Sequence, residues 1–240
     1  MPGGIVSLPS LPVIYLNIPK SACTSVKNHL FFLHHGHYLD NPLDIHKALQ
    51  KSREADVQER KAVRRRLATR SMSFTFVRHP GKRAYSCFGE KICTDSPYAF
   101  PRIREFLVGN YGVDFDGYGT PAYSLERHRE NYGRFLEFVR DNVAHKTSVR
   151  RDAHWAPQVE LLHHFQRALI IDFIGRVETF AEDLRFALRG VPAAASIDWS
   201  RKFNEGPPPP FSYEEVATPE LRDLMHQVYR RDYERLAYTR

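Results

Sequence analysis

Short apolar runs alternate with longer stretches of helical spacing along the first part of the chain. Val13–Ile18 is a continuous apolar run between two prolines, which predicts a buried strand. Ser25–Leu33 follows it with apolar residues at helical spacing. Ser73–Val77 is a second apolar run, and a turn containing Pro80 leads from it into another predicted helix. The pattern therefore predicts strands that lead directly into helices.

The second half of the chain continues this alternation. Leu169–Ile174 predicts a third strand, and Glu178–Leu188 predicts the helix that follows it. Further helices are predicted over residues 44–69, 125–140 and 213–236, the last with Pro219 as a start or a break. Three strand-then-helix units predict parallel strands with right-handed crossovers. We therefore expect an α/β fold with a central parallel sheet flanked by helices on both faces, in a single domain over residues 1–240.

Composition narrows the class of protein. The chain has 240 residues and a formal net charge of +7, with 42% hydrophobic residues, as in an ordinary globular protein. Three cysteines, Cys23, Cys87 and Cys93, are too few for a disulfide framework and favour a reducing compartment. We see no secretory signal and no run of ~20 apolar residues, so we expect a cytoplasmic protein without a transmembrane segment. Basic and acidic residues are interleaved, so net charge alone is weak evidence for a nucleic-acid surface, and a small anionic ligand would also suit the positive surplus.

The segment after the first strand is the first candidate for such a ligand. Ligands of α/β proteins bind at the carboxyl ends of strands, and Pro19–Ser25 lies at such an end, just before a predicted helix. Free backbone N–H groups and the helix dipole favour an anion there, and Lys20 adds a positive charge. The alternative is an ordinary strand-to-helix turn with a surface lysine. The segment lacks the G-x-x-x-x-G-K-[ST] pattern, which disfavours an ATPase or a GTPase.

A second candidate follows the second strand. Arg78 comes directly after Val77, and Ser86 lies about two helical turns further on. An arginine can bind a phosphate with two hydrogen bonds, and a serine hydroxyl can donate to the same group. One loop thus suits one phosphate, and the Arg78/Ser86 pair suits another.

Together these segments resemble a known family. Pro19–Ser25 is similar to the 5′-phosphosulfate-binding loop of sulfotransferases that use 3′-phosphoadenosine-5′-phosphosulfate (PAPS). Phe76–Pro80, with Arg83 and Ser86, resembles their 3′-phosphate-binding motif. The variant resembles the carbohydrate sulfotransferase branch and its bacterial relatives, as do three later segments, residues 152–158, 174–184 and 229–233. The chain departs from the family at Ala22, where many members have Gly, and at Ser25, where the cytosolic branch has Trp.

The resemblance implies a P-loop-like α/β sheet and transfer of the sulfuryl group of PAPS to a hydroxyl acceptor on a carbohydrate or glycolipid, without a metal. It implies that Lys20 stabilises the leaving phosphate. The nucleotide-binding residues that it implies are Lys20, Ser21, Ala22, Cys23, Thr24, Ser25, Arg78 and Ser86, with Asn204 as a further contact. For the general base, the bacterial relatives carry a His at the start of the helix before the second phosphate strand, and His46 matches that position. Its alternative is a helix residue without a chemical role.

Other candidates for the base stay open, as do other functions. The further candidates for the base between the two phosphate motifs are His29, His34, His35, His37, Asp40, Asp44 and Glu54, and His154 in a His-Trp-Ala-Pro-Gln segment lies outside that interval. We expect His29, His34 and His35 to be packing or surface residues. The cluster of His34, His35 and His37 lacks the cysteine pair typical of structural zinc.

The alternative functions are a P-loop-like nucleotide kinase and a basic nucleic-acid-binding protein. The oligomeric state is not predicted.

Overall fold

The computed structural model of this chain describes residues 4–50, 64, 71–199, 201, 203 and 209–239. Contacts within the chain group it into two compact units. The described residues of 2–78 and 160–206 form the sheet unit, and those of 79–159 and 207–240 form the helical unit.

The sheet unit is built on four strands among the described residues. They are β1 (Ile5–Val6), β2 (Val13–Leu16), β3 (Met72–Val77) and β4 (Phe173–Arg176), in the spatial order β1-β2-β3-β4. β2, β3 and β4 are parallel, whereas β1 runs antiparallel to β2. The α/β prediction is thus confirmed, with an antiparallel edge strand that the sequence pattern did not reveal because β1 has only two residues.

The central strands β2 and β3 explain where a ligand site can form. Every residue of β2 is buried, and Tyr15 packs on Phe74 of β3 with ring centroids 5.3 Å apart. Leu16 pairs with Thr75, whose hydroxyl also donates to the Leu16 carbonyl over 2.6 Å. Because the strands are parallel and in this register, the chain leaves both at the same edge of the sheet.

Helices flank this sheet within the sheet unit. They are α1 (Cys23–His35), α2 (Ile45–Gln50) and α7 (Phe180–Ala187), and short 3-10 turns lie at Pro42–Asp44, Val177–Thr179 and Pro192–Ser196. Val26 and Leu30 of α1 and Leu184 of α7 are buried in one apolar cluster with strand residues. Burial of these apolar faces stabilises the helices against the sheet.

The helical unit surrounds an aromatic core. Its helices are α3 (Pro80–Cys87), α4 (Pro101–Tyr111), α5 (Leu125–Val143), α8 (Tyr213–Val216) and α9 (Pro219–Arg235), with a π-helical turn at Phe88–Ile92. Helix α6 (Gln158–Gln166) begins in this unit and continues into the sheet unit. The core contains Phe88, Tyr132, Phe135, Phe138 and Trp155, all 1% exposed or less.

The third predicted strand was misplaced. The strand is Phe173–Arg176, not Leu169–Ile174, and Ile170 is 72% exposed. The apolar run begins in the turn that ends α6, where the Leu169 N–H still donates to the Phe165 carbonyl. Asp172 then accepts the Ser73 N–H with its carboxylate, at 2.7 Å, and regular pairing starts one residue later.

Of two other predicted helices, the one over 213–236 is divided at Pro219, as the sequence allowed, and the one over 44–69 is described only in part. The pattern over 213–236 is two helices, because Thr218 caps a new helix that begins at Pro219. The pattern over 44–69 begins with α2, while residues 51–63 and 65–70 lie outside the described part of the chain. The helix predicted at 125–140 is confirmed and extends to Val143.

Candidate active site

The loop between β2 and α1 takes a backbone path that L-residues seldom adopt. Lys20 and Ala22 both have positive φ, 66° and 56°. The left-handed region costs a non-glycine residue roughly 1–2 kcal/mol, so the surrounding loop must hold these residues in place. The conformation explains why many members of the resembled family carry Gly where this chain has Ala22.

This path leaves the amino terminus of α1 open to an anion. Ala22 is the N-cap residue, and within the described part of the chain no side chain caps the helix. The N–H groups of Cys23, Thr24 and Ser25 are the first of the helix, and such groups have no acceptor inside it. The first turn contains no acidic residue. An uncapped helix amino terminus without acidic neighbours is a favourable site for a phosphate.

Ser21 contributes differently from its neighbours. It is fully buried, and its N–H donates to the Ile18 carbonyl over 3.3 Å. That hydrogen bond closes the turn that brings Ala22 to the start of the helix. The amides directed along the helix axis are therefore those of residues 23–25.

Arg78 joins the two sequence motifs. It follows β3, and its Nη1 atom donates to the Lys20 carbonyl over 3.5 Å. Both residues are partly exposed at the same edge of the sheet. Two cationic side chains and a helix amino terminus therefore share this edge, a donor set suited to phosphate. Ser86 lies on α3 of the helical unit and is partly buried, and its action with Arg78 stays a prediction.

The structure brings His46 to this site through helix α1. His46 lies in the first turn of α2, and its Nε2 atom is 3.1 Å from the Thr24 hydroxyl. Its Nδ1 atom is 3.3 Å from the amine of Lys27. Thr24 and Lys27 are one turn apart on α1, so they present their side chains on the same face. The imidazole is thus held against the amino-terminal turn of the candidate phosphate helix.

Two arrangements of protons satisfy these contacts. An ammonium on Lys27 donates to Nδ1, and the Nε2–H group then donates to Thr24. Alternatively, a neutral Lys27 amine accepts from Nδ1–H, and Nε2 accepts from the Thr24 hydroxyl. Burial lowers the pKa of Lys27, against an opposing effect of Cys23, and so makes the neutral amine of the second arrangement easier to reach than for an exposed lysine. That arrangement leaves a lone pair on Nε2, the atom beside α1.

The sequence profile of the sulfotransferase family matches residues 5–239. The chain belongs to the sulfotransferase family. The matched segment includes Pro19–Ser25, His46 and Phe76–Ser86.

Three curated relatives within the family are carbohydrate sulfotransferases. Carbohydrate sulfotransferase 8 of Mus musculus is 27% identical over 195 residues, which is 79% of this chain and 43% of the relative. The Homo sapiens protein of the same name has the same identity and coverage, and Homo sapiens carbohydrate sulfotransferase 9 is 25% identical over 191 residues, 77% of this chain and 40% of the relative. The chain thus spans less than half the length of these relatives. No solved structure was found to match it.

The other histidines between the two phosphate motifs either pack within the fold or lie at its surface. His29 is buried beside Trp199 and Phe203 and contacts the Tyr38 hydroxyl, and burial, with Arg201 adding to it, lowers its pKa to about 4. This environment agrees with the packing role expected from sequence. His34 contacts the Ser10 hydroxyl, while His35 and His37 are exposed at the end of α1. Among the described residues no group of His, Cys, Asp and Glu is placed to hold a metal ion.

The acidic candidates near His46 differ in position. Asp40 is exposed, and Asp44 is 3.9 Å from the Lys47 amine on the surface. Glu54 and Asn204 lie outside the described residues.

Among the described helices, none is long and apolar enough to cross a membrane.

His154 of the helical unit forms a pair with a carboxylate. Its Nδ1–H donates to Asp152 over 2.6 Å, and its backbone N–H donates to the same oxygen over 2.9 Å. Burial would raise the pKa of Asp152, but the hydrogen bonds and charge of His154 outweigh it and hold the pKa below its usual range. A carboxylate on Nδ1 orients an imidazole and favours its proton-accepting state at Nε2. His154 therefore stays a second candidate for the base.

Two further motif residues hold this segment in place. Arg83 is 1% exposed, and its guanidinium donates to the carbonyls of Ala153 and Ala156. Asp232 of α9 is fully buried and accepts the N–H groups of Gln158 and Val159, over 2.8 and 2.9 Å, at the start of α6. Arg83, which the resemblance groups with the 3′-phosphate motif, thus supports the fold of residues 153–156 here.

Sequence reasoning missed the contact partners of His46. Lys27 was assigned no role, because a lysine within an amphipathic helix is usually a surface residue. Lys27 is 8% exposed instead. The signal was its spacing, since Thr24 and Lys27 are three residues apart on the helix that leads from the phosphate loop.

Proposed function

We propose that this chain transfers the sulfuryl group of PAPS to a hydroxyl of a carbohydrate. The observation that carries the proposal is the uncapped amino terminus of α1, which follows Lys20 directly and whose loop is hydrogen-bonded to Arg78. This donor set fits a phosphate group. The carbohydrate part of the proposal is supported by the names of the curated relatives.

The nucleotide supplies an activated sulfuryl group, and this chain's residues supply binding and charge stabilisation. The N–H groups of residues 23–25 bind the 5′ side, where Lys20 stabilises the negative charge that develops as the bond between sulfur and the phosphate oxygen breaks. Arg78 and Ser86 bind the 3′-phosphate. Ser21 and Ala22 of the loop, with Cys23, Thr24 and Ser25 of the first turn of α1, surround the 5′ group. No step of this proposal uses a metal.

His46 is the proposed general base. The acceptor oxygen forms a bond to sulfur, and its proton passes to Nε2 of His46, where the Thr24 hydroxyl lies now. This exchange requires the arrangement in which Nδ1–H donates to a neutral Lys27. His154 is the second candidate, favoured by its hydrogen bond to Asp152. Cytoplasmic location and a single domain stay predictions.

The proposal is tested by sulfuryl transfer from radiolabelled PAPS to a panel of neutral and acidic oligosaccharides. We expect a labelled saccharide with the wild-type chain and with Lys47→Met, a surface lysine variant. We expect little product with Lys20→Met. A wild-type chain that neither binds the nucleotide nor transfers label to any acceptor would overturn the proposal.

A further inference from the structure

The helical unit contains a cavity that the phosphate motifs do not use. Its volume is about 460 Å³, within the ~300–1,000 Å³ typical of small-molecule sites. One wall is the amino-terminal start of α4 at residues 99–103, and the other is residues 150–152 with Trp155. The second wall belongs to the His-Trp-Ala-Pro-Gln region, for which the phosphate motifs supply no role.

Part of the cavity wall is apolar and aromatic. Phe100, Ile103 and Trp155 line it, and the Phe100 and Trp155 rings have centroids 6.2 Å apart. Trp155 is almost fully buried, and its Nε1–H donates to the Asn142 side chain over 2.7 Å. Its polar atom is therefore satisfied away from the cavity. Phe100 and Ile103 are partly exposed and form the accessible part of this wall, and an apolar surface of this kind suits the C–H face of a sugar ring.

The remaining lining residues carry an excess of positive charge. Arg102, Arg150 and Arg151 line the cavity together with one acid, Asp152. Asp152 already accepts a hydrogen bond from His154, so the arginines are not required to compensate its negative charge. Arg102 and Arg150 are exposed, so their guanidinium groups can bind a ligand at the surface without being fully buried. Guanidinium groups bind carboxylates and sulfates with paired hydrogen bonds.

We infer that this cavity binds an acidic sugar residue, with its ring on the aromatic wall and its carboxylate or sulfate on Arg102 and Arg150. The cavity would hold part of the acceptor saccharide, and in that respect the inference rests on the proposed function. The binding itself requires neither PAPS nor the phosphate loop.

A fluorescence titration tests the inference directly, because the chain has only two tryptophans. Trp155 lines the cavity, whereas Trp199 belongs to the sheet unit. In the Trp199→Phe variant, Trp155 alone reports on the cavity. The probes are the unsulfated chondroitin disaccharide, its 6-sulfated form, the carboxyl-reduced disaccharide and inorganic sulfate.

We expect a saturable change in Trp155 emission with both acidic disaccharides, and at least about tenfold weaker binding of the carboxyl-reduced one. In the same background, Arg102→Gln and Arg150→Gln should each weaken the acidic disaccharides about tenfold, which corresponds to the loss of one charged hydrogen bond. Arg140→Gln, an exposed arginine of α5 that does not line the cavity, should bind as well as the parent.

Equal binding of the acidic and carboxyl-reduced disaccharides would overturn the inference, and so would equal losses in the Arg102, Arg150 and Arg140 variants. Inorganic sulfate that binds as tightly as the disaccharides would also overturn it, by showing a general anion site. The titration contains no nucleotide. Acidic saccharide binding without sulfuryl transfer would therefore reject the proposed function alone, whereas transfer without a Trp155 response would reject the cavity site alone.

Discussion

The guanidinium of Arg78 donates a hydrogen bond to the backbone carbonyl of Lys20, over 3.5 Å and across 58 positions of sequence. The contact links the residue after β3 with the loop after β2. Arg78 can therefore act on a ligand in two ways, by its own charge and by holding the loop that presents Lys20. The two effects are separated by nucleotides that differ only in the 3′-phosphate.

Substitution of Arg78 should discriminate between those nucleotides. We expect Arg78→Ala to weaken PAPS by roughly 10–100-fold, because a charged hydrogen bond contributes ~1.5–3 kcal/mol. Adenosine 5′-phosphosulfate lacks the 3′-phosphate, so its binding should weaken much less. Calorimetric titration of both nucleotides gives the ratio, and Arg230→Ala, an exposed arginine of α9, is the control. Equal losses for the two nucleotides would argue against a contact to the 3′-phosphate.

Lys20 should affect turnover more than binding. Lys20→Met removes the ammonium but keeps a long, unbranched side chain. The positive φ of 66° at this position therefore strains both residues alike. We expect kcat to fall by about 10²–10³-fold, the usual loss when a group that stabilises developing charge is removed. Initial rates at saturating PAPS measure it, with Lys47→Met as the matched control. A Lys20 variant with normal kcat would remove this residue from the mechanism.

His46 should contribute as a base, and Lys27 should set the pH at which it does so. We expect His46→Ala to lower kcat by ~10²–10⁴-fold with nearly unchanged PAPS affinity, and to abolish the acid limb of the pH–rate profile. If rate and limb both persist, the base lies elsewhere, and His154 is tested next, followed by His37 and Asp44.

Lys27→Met places an apolar chain of similar length beside Nδ1 of His46. Loss of the neutral amine that accepts from Nδ1–H removes a partner that stabilises the protonated imidazole, so the acid limb should move to lower pH. His46→Ala and Lys27→Met together should show no such limb. An acid limb that stays in place in Lys27→Met would show that the amine does not control the base.

Buried histidines should make the fold sensitive to mild acid. Burial lowers the pKa of His128 from 6.5 to about 4, and the ring lies 3.0 Å from the Tyr85 hydroxyl. Between these values the unfolded chain binds a proton that the folded chain does not, so this contribution to stability is complete above about pH 6.5 and is lost as pH falls toward 4.

The measurement is the free energy of unfolding by denaturant from pH 7 to pH 4.5. In His128→Gln, its slope with pH should decrease by up to ~1.4 kcal/mol per pH unit, the equivalent of one proton. Ile170→Gln, at an exposed residue that does not ionise, should leave the slope unchanged. An unchanged slope in His128→Gln would show that this ring already titrates normally in the fold.

The sequence predicted the parts of the site that depend on local pattern. Val13–Leu16 and Ser73–Val77 are apolar runs that lead into turns, so their strands and the loops after them followed from periodicity. The Lys27–His46 contact could not be predicted, because it depends on how α2 packs on α1. The role of Arg83 depends on burial of its guanidinium against carbonyls 70 and 73 residues away. Likewise, regular pairing of the strand at Phe173 begins after Asp172, whose carboxylate accepts the Ser73 N–H, a contact that periodicity does not encode.

The most direct test of the central claim is thermal unfolding of the chain with 3′,5′-bisphosphoadenosine, compared with ATP and with single-stranded DNA. Ligand at about 100 times its dissociation constant adds ~2.7 kcal/mol of stability, which corresponds to a rise in Tm of roughly 5–10 °C for a chain of this size. We predict that rise with bisphosphoadenosine alone, and its loss in Arg78→Ala. A larger rise with ATP would indicate a nucleotide kinase, a larger rise with DNA would indicate a nucleic-acid-binding protein, and either result would contradict a PAPS-dependent sulfotransferase.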